Sequence, residues 1–141
     1  MSARPGDREA DFEIAVIGGG VVGATLAAIL GAAGLRVALV ESGETPSVVS
    51  ADDNTDARVL ALTRASEQVL RAVGAWQQII AERSGVFREM HVWDAGGAGR
   101  IHFASAEVGE PLLGHIVRSL VIEAALDMMI SDCGNGSSLM V

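Results

Sequence analysis

The sequence predicts an α/β fold that begins with a parallel strand–helix–strand unit, and three observations support this prediction. Two short, mainly apolar runs, Phe12–Ile17 and Arg36–Val40, have the length of buried strands. Between them, Val21–Ala33 is apolar, rich in alanine and long enough for a helix. Glycines stand where the first run meets this helix, and Gly34 follows it as a stop signal. Buried strands joined by a helix are typical of a parallel βαβ crossover.

The composition indicates one globular domain and excludes some classes of function. The chain has 141 residues, of which 50% are hydrophobic, so one buried core is expected and disorder is not. The formal net charge is −8, from 10 basic and 18 acidic residues, without a basic cluster, so nucleic-acid binding is not expected. The single cysteine, Cys133, cannot form an internal disulfide and is interpreted as an incidental thiol in a reducing compartment.

The uncharged stretch from Ile14 to Leu35 also permits a different interpretation. It is long enough to span a bilayer, and Arg4 and Arg8 upstream give it features of a signal peptide. Against this, glycines interrupt the stretch early, at the spacing of a dinucleotide-binding fold. A βαβ unit that is buried on both faces gives the same continuous apolar run, and we favour it.

The rest of the chain is interpreted in order. Residues 1–11 are expected to be a disordered tail, and Gly43–Asp56 a loop. We then expect a helix at Arg64–Val73 that is broken at Gly74, followed by a hairpin at Arg88–Asp94 with Arg100–Phe103. A second helix is expected at Ile116–Ile130, and the start of a strand at Ser138–Val141. A Rossmann sheet normally extends beyond its first βαβ unit, so we expect an incomplete domain, the N-terminal part of a longer protein.

The glycines between the first strand and the first helix form the pattern Gly18-x-Gly20-Val21-Val22-Gly23. Gly18 permits a tight turn, Gly20 lets the backbone approach a pyrophosphate, and Gly23 lets the helix pack closely on the sheet. The phosphates would face the unpaired N–H groups at the helix N-terminus, including those of Val21 and Val22. In this context the pattern predicts a Rossmann-like dinucleotide site; the alternative is a glycine-rich βαβ unit without a ligand.

An acidic residue completes the pattern. Glu41 ends the second strand about 20 residues beyond the glycines, where a carboxylate accepts hydrogen bonds from ribose hydroxyls. The same charge would repel a 2′-phosphate, which disfavours NADP at this site. The pattern does not by itself distinguish FAD from NAD.

Three further blocks carry a family resemblance: Asp56–Leu62 (DARVLAL), Met90–Asp94 (MHVWD) and Leu113–Val117 (LGHIV). Over roughly residues 12–126 the chain resembles the hydroxylases of ubiquinone biosynthesis, which are relatives of p-hydroxybenzoate hydroxylase among the flavoprotein monooxygenases. The resemblance implies an FAD-binding domain over residues 12–141, interrupted by a substrate domain to which the hairpin at about 88–104 belongs.

The resemblance also implies a reaction and its participants. FAD would be the cofactor, NAD(P)H and O2 the co-substrates, and a polyprenylated phenol the molecule that is hydroxylated. Gly18, Gly20, Gly23 and Glu41 match the family's FAD fingerprint, and the cofactor carries the chemistry, so no catalytic residue is expected. A cytoplasmic location is implied, with peripheral association at the inner face of the membrane or with a biosynthetic complex left open.

Arg58 matches the arginine that in this family reaches back toward the flavin cofactor, a role that suits a forked, permanent cation. The alternative is a surface salt bridge with Asp52, Asp53 or Asp56. The pair that follows LGHIV departs from the family, because Arg118-Ser119 stands where Glu-Asn is usual.

The histidines and aromatic residues give weaker signals. His91, His102 and His115 match no metal-ligand spacing and are interpreted as scattered structural residues. Trp93 and Phe103 are expected to face each other across the hairpin, where we favour packing of a sheet face over the lining of a substrate cavity.

Two other classes of function remain open. One is a different FAD- or NAD-dependent oxidoreductase, and the other is a truncated, non-catalytic product that binds a nucleotide. The family's later Gly-Asp motif, which completes the FAD site, lies beyond this chain, so the chain alone is expected to be inactive.

Overall fold

The computed structural model describes residues 11–43, 58–82, 84–134 and 139–140. Its elements in chain order are β1 (Ile14–Ile17), α1 (Val21–Ala32), β2 (Val37–Val40), β3 (Val59–Thr63), α2 (Arg64–Ala72), α3 (Trp76–Ala81), β4 (Gly85–Phe87), β5 (Glu89–Trp93), β6 (Arg100–Ala104), a 3-10 turn (Ser105–Val108), β7 (Gly114–Arg118), α4 (Ser119–Gly134) and β8 (Leu139–Met140). The chain forms two compact units, one of Met1–Thr45 with Leu126–Val141 and one of Pro46–Ala125. Most of the expected tail and of the loop Gly43–Asp56 lies outside the described residues.

The first unit contains the predicted βαβ arrangement. Strands β1 and β2 are parallel, in a register that runs from Ile14 opposite Val37 to Ile17 opposite Val40. This confirms the prediction on which the dinucleotide site depends. Strand β8 pairs with β2, also in parallel, and gives the sheet order β1-β2-β8. The strand expected near the end of the chain is thus confirmed at Leu139–Met140.

Helix α1 packs through small residues and ends as expected. Its buried side chains are Ala24, Ala27 and Ala28, which recur at helical spacing on one face. Gly34 has φ +85°, and its N–H donates to Gly31 O at 2.9 Å. The N–H of Leu35 donates to Leu30 O at 3.1 Å. This left-handed glycine satisfies carbonyl groups that the helix end would leave unpaired.

The second unit is built on an antiparallel sheet of order β3-β7-β4, against which α2 and α3 supply large buried side chains. Trp76 and Ile79 of α3 are at most 1% exposed, and Leu70 of α2 is also buried. The break expected at Gly74 is confirmed, because this residue has φ +85° and separates α2 from α3.

The prediction of a helix over Ile116–Ile130 was wrong in its first part. Gly114–Arg118 is the central strand β7, and the helix begins at Ser119. A short apolar run has no period that distinguishes strand from helix, and here pairing with strands on both sides decides its conformation. Strands β3 and β4 were not expected for the same reason, since each is at most five residues long.

The hairpin of β5 and β6 is confirmed as antiparallel, but its expected aromatic contact is not. Trp93 lies opposite Arg100, whereas Phe103 lies opposite Met90, so the two aromatic residues occupy different faces. They are 70% and 47% exposed, respectively, and do not pack together. The register of a hairpin depends on its loop, which the alternation of the strands does not reveal.

The interpretation of Ile14–Leu35 as a membrane segment finds no support in the fold. This stretch divides into β1, a glycine turn and α1. In the described part of the chain, no helix combines the length and the apolar character needed to cross a bilayer.

Candidate cofactor site

The turn between β1 and α1 holds the first glycine of the fingerprint in a conformation that other residues rarely adopt. Gly18 has φ +98°, and its N–H donates to Val40 O at 2.8 Å. A side chain at this φ would be strained. Gly18 therefore forms the expected tight turn, and its hydrogen bond ties that turn to the end of β2.

Gly23 is required by close packing inside the site. A Cβ on Gly23 would lie 1.8 Å from the carbonyl oxygen of Gly18 and 3.4 Å from Cγ1 of Val16. The nearer atom belongs to the backbone, which cannot move aside as a flexible side chain would. The predicted close approach of helix and sheet is present, and the closest contact is to the turn itself.

Gly20 is not required by the packing of the protein. Among the described residues, no atom lies within 4 Å of a Cβ placed on Gly20. The helix begins there, and its first backbone hydrogen bond runs from Ala24 N to Gly20 O at 2.9 Å. The N–H groups of Val21 and Val22 precede that bond and lie in the first turn, where N–H groups have no acceptor within the helix. Open space at Gly20 beside such donors fits a pyrophosphate.

Glu41 is bound to the same turn. One oxygen of its carboxylate accepts a hydrogen bond from Gly19 N–H, and the other accepts from Ser42 N at 2.7 Å and Gly43 N at 3.0 Å. The hydrogen bond from Gly19, followed by those from Gly43 and Ser42, lowers the pKa of Glu41 from its ordinary value of 4.5. An ionised carboxylate therefore stands at the end of β2, and it has lone pairs in addition to those already used.

The sequence interpretation missed the part that Gly19 plays in this arrangement. A Cβ on Gly19 would lie 3.1 Å from Cβ of Glu41 and 3.2 Å from Oε2. The variable position of the glycine pattern is therefore also restricted here. The run of three glycines was the available signal, but it could not show which side chain approaches.

The role predicted for Arg58 at the cofactor stays a prediction. This residue is exposed, precedes β3 and accepts a backbone hydrogen bond from Ser119 N at 3.0 Å. The aspartates proposed as alternative partners, at positions 52, 53 and 56, lie outside the described residues. The unusual pair Arg118-Ser119 lies where β7 ends and α4 begins.

An ionic cluster around a buried carboxylate in the second unit was not predicted. Glu67 of α2 is 4% exposed, and its carboxylate accepts hydrogen bonds from Arg64 and, at 2.9 Å, from Nε of Arg71. Nδ1 of His115 lies 3.8 Å from Oε2 of Glu67, and the imidazole meets the Trp76 ring edge-on at 5.1 Å. His115 of the LGHIV block thus has a structural environment, as its interpretation as a structural residue implied.

The glycine of the LGHIV block also has a packing role. A Cβ on Gly114 would lie 2.0 Å from the carbonyl oxygen of Leu62 and 2.9 Å from Cε1 of Phe87. Only a glycine allows β7 to approach β3 and β4 this closely. Gly114 is therefore explained by the packing of the second unit, without reference to a ligand.

Two of the histidines are not scattered. His91 and His102 lie opposite each other in the hairpin, with stacked rings whose centroids are 4.3 Å apart. The carboxylate of Glu89 is next to both. Linear spacing could not reveal this cluster, because it forms across two strands.

Comparison with known proteins identifies relatives of the whole βαβ region. Residues 11–121 match the family model described as FAD binding domain. The chain is 37% identical over 114 residues to 3-demethoxyubiquinol 3-hydroxylase of Escherichia coli (strain K12), covering 81% of this chain and 29% of that protein. It is 32% identical over 119 residues to the human ubiquinone biosynthesis monooxygenase COQ6, covering 82% and 25%.

Solved structures show the same fold. PqsL of P. aeruginosa matches with a TM-score of 0.66 at 20% identity, over 92% of this chain and 32% of that one. The p-nitrophenol 4-monooxygenase PnpA of Pseudomonas putida DLL-E4 matches with a TM-score of 0.62 at 19% identity, over 90% and 30%. The chain thus spans less than a third of the length of these relatives. The family match covers most of the chain, whose glycine turn fits the cofactor, and the chain therefore belongs to the FAD binding domain family.

Proposed function

We propose that this chain provides the ADP-binding part of an FAD-dependent monooxygenase that hydroxylates a polyprenylated phenol in ubiquinone biosynthesis, with NAD(P)H and O2 as co-substrates. The observation that carries the proposal is the open glycine turn beside an ionised Glu41, within a chain of the FAD binding domain family. The substrate class rests on relatives that are named as ubiquinone-biosynthesis hydroxylases.

Each site residue has a defined task in this proposal. The backbone at Gly20, Val21 and Val22 would bind the pyrophosphate, with Gly18 and Gly23 shaping the turn, as the open space and the helix N-terminus favour. Glu41 would bind the ribose, and Arg58 would contact the cofactor toward its flavin end. Bound FAD supplies the redox chemistry, while the protein binds, orients and excludes water. No side chain is assigned a catalytic role.

The β5–β6 hairpin would belong to the substrate side of the protein. One of its faces is apolar and exposed, and it consists of Met90, Val92, Ile101 and Phe103, which are 39–57% exposed. A prenylated substrate is apolar, so such a face would suit a cavity that the remainder of a longer protein completes. From the family resemblance we place the parent protein in the cytoplasm, and its apolar substrate favours peripheral association at the inner face of the membrane or with a biosynthetic complex.

A second function is considered because the chain spans less than a third of its relatives' length. In this alternative the chain on its own is a non-catalytic nucleotide-binding product. Another FAD- or NAD-dependent oxidoreductase is the remaining alternative, and a preference for NAD would identify its NAD-dependent form.

Calorimetry with FAD, ADP-ribose and NAD tests the proposal. FAD and ADP-ribose should bind to the chain in competition with each other, because both present the pyrophosphate and the ribose. Gly20→Ala should remove binding of both. A clear preference for NAD over FAD would contradict the proposed cofactor, and unchanged binding to Gly20→Ala would contradict the proposed site.

A further inference from the structure

The β5–β6 hairpin carries three potential metal ligands on one face. Antiparallel pairing places His91 directly opposite His102, and Glu89 is two residues before His91 on the same strand. Because side chains alternate along a strand, all three project from the same side of the hairpin. One ligand atom from each lies within 4.8 Å of the others.

The distances between the three side chains are compatible with one shared cation. Oε2 of Glu89 is 3.6 Å from Nε2 of His91 and 3.7 Å from Nε2 of His102. Ligand bonds of about 2.1 Å at tetrahedral angles place neighbouring donor atoms about 3.4 Å apart. The rings of His91 and His102 are stacked, so a cation would need these side chains to rotate until their nitrogen lone pairs converge. The side chains are 42–63% exposed and accessible from solvent.

The chemistry of the donors selects the kind of cation. Two imidazole nitrogens with one carboxylate oxygen suit zinc and neighbouring transition metals, whereas Ca²⁺ and Mg²⁺ prefer oxygen ligands. Three protein ligands leave at least one position for water. Arg100 lies on the same face, two residues from His102, and its positive charge opposes cation binding.

We propose that Glu89, His91 and His102 form a binding site for a divalent transition-metal ion of the zinc type. The ion links β5 to β6 and holds the hairpin in its register, because ligands from both strands must remain opposite each other. The site lies entirely within the hairpin and shares no residue with the glycine turn that is assigned to FAD.

The test is a titration of the untagged chain with Co²⁺, followed by visible absorption, and displacement by Zn²⁺. The background is Cys133→Ser, so that the thiol does not contribute a ligand. One equivalent of Co²⁺ should bind and be displaced by Zn²⁺. In NMR spectra the imidazole signals of His91 and His102 should shift or broaden, while those of His115 should not.

Variants make the assignment specific. His91→Gln, His102→Gln and Glu89→Gln should each weaken binding by at least about tenfold, since even the loss of a group outside the ligand shell has an effect of this size. Arg100→Gln is the matched control on the same face, and it should bind Co²⁺ as tightly or more tightly. Circular dichroism establishes that each variant is folded. Binding that survives the loss of either histidine, or no binding by the folded parent chain, would overturn the proposal.

Discussion

The carboxylate of Glu41 connects the end of the second strand to the glycine turn. Its carboxylate already accepts hydrogen bonds from Gly19, Ser42 and Gly43, so its position is fixed before any ribose arrives. Prearrangement of this kind reduces the cost of ordering a ligand contact. The contact with Gly19 also means that replacement of Glu41 would disturb the turn as well as the ribose.

Replacement of Glu41 by alanine should weaken FAD binding by about ten- to a hundredfold, as expected for a lost hydrogen bond to a charged group. Calorimetry on the full-length parent or on this chain measures the change. Ser42→Ala, which keeps the backbone donor to Glu41 and removes only the 3.3 Å hydroxyl contact, is the control. Affinity equal to that of the parent would show that Glu41 is not the ribose ligand.

The pH dependence of this site follows from the lowered pKa of Glu41. Because this pKa is lowered, Glu41 is ionised above the ordinary value of 4.5, and its ability to accept hydrogen bonds as a carboxylate is lost as pH falls through the lower value of the folded chain. Protonation of Glu41 should therefore leave FAD affinity unchanged above about pH 4.5 and should lower it at more acidic pH. Glu41→Gln should lack that acidic decrease in a calorimetric pH series.

Gly20 and Gly23 should respond differently to the same substitution. A Cβ at Gly23 meets backbone at 1.8 Å, whereas one at Gly20 meets no described atom within 4 Å. Gly23→Ala should therefore lower the melting temperature and abolish FAD binding. Gly20→Ala should melt as the parent does and still lose FAD, because its Cβ occupies the pyrophosphate space. Equal melting temperatures for the two variants would mean that the geometry of the turn is misjudged.

At the scale of the element, helix α2 depends on a buried carboxylate. Burial raises the pKa of Glu67, but the hydrogen bonds and charges of Arg71 and Arg64 outweigh burial, so that the pKa is lowered from 4.5. The helix is also capped by Thr63, whose side chain accepts from Ser66 N. The stabilising contribution of Glu67 is present above the ordinary carboxyl pKa and is lost as pH falls through the lowered value.

Replacement of Glu67 by glutamine should destabilise the protein by about 1–3 kcal/mol near neutral pH, because two charge-assisted hydrogen bonds are weakened. Urea unfolding at pH 7 and at pH 3.5 measures the difference between parent and variant. The difference should shrink at the lower pH, because below the ordinary pKa of 4.5 the unfolded parent takes up a proton at Glu67 more readily than the folded parent does. A difference that is constant with pH would indicate that the ionised carboxylate is not what stabilises α2.

Strand β7 provides the second prediction at this scale. Gly114→Ala should destabilise the protein by at least about 2 kcal/mol, because an added Cβ is forced against the backbone of β3. Gly85→Ala, in the neighbouring strand β4, is the matched control, since no described atom lies within 4 Å of its Cβ position. Thermal unfolding of the two variants compares them directly. Similar losses in both would rule out close packing at Gly114 as the reason for the glycine.

At the scale of the whole molecule, we expect that the 141-residue chain alone hydroxylates nothing. Its residues fit the ADP half of FAD, but its hairpin is exposed on both faces and cannot enclose a prenylated phenol. Incubation with FAD, NADH or NADPH, oxygen and a short-chain prenylphenol, followed by mass spectrometry, should show no product. Turnover on the order of 1 per second or faster would show that the active site is present in this chain.

The sequence by itself determined the parallel βαβ unit, the glycine turn and the position of Glu41. Each of these depends on residues close in the chain: apolar runs define β1 and β2, and glycines supply the backbone freedom of the turn. Only the tertiary structure decided that Gly114–Arg118 is a strand, because its neighbours pair with it on both sides. The hairpin register likewise decided that Trp93 and Phe103 lie apart and that His91 meets His102. These features depend on contacts between residues distant in sequence, and no local pattern of side chains encodes the register in which two strands pair.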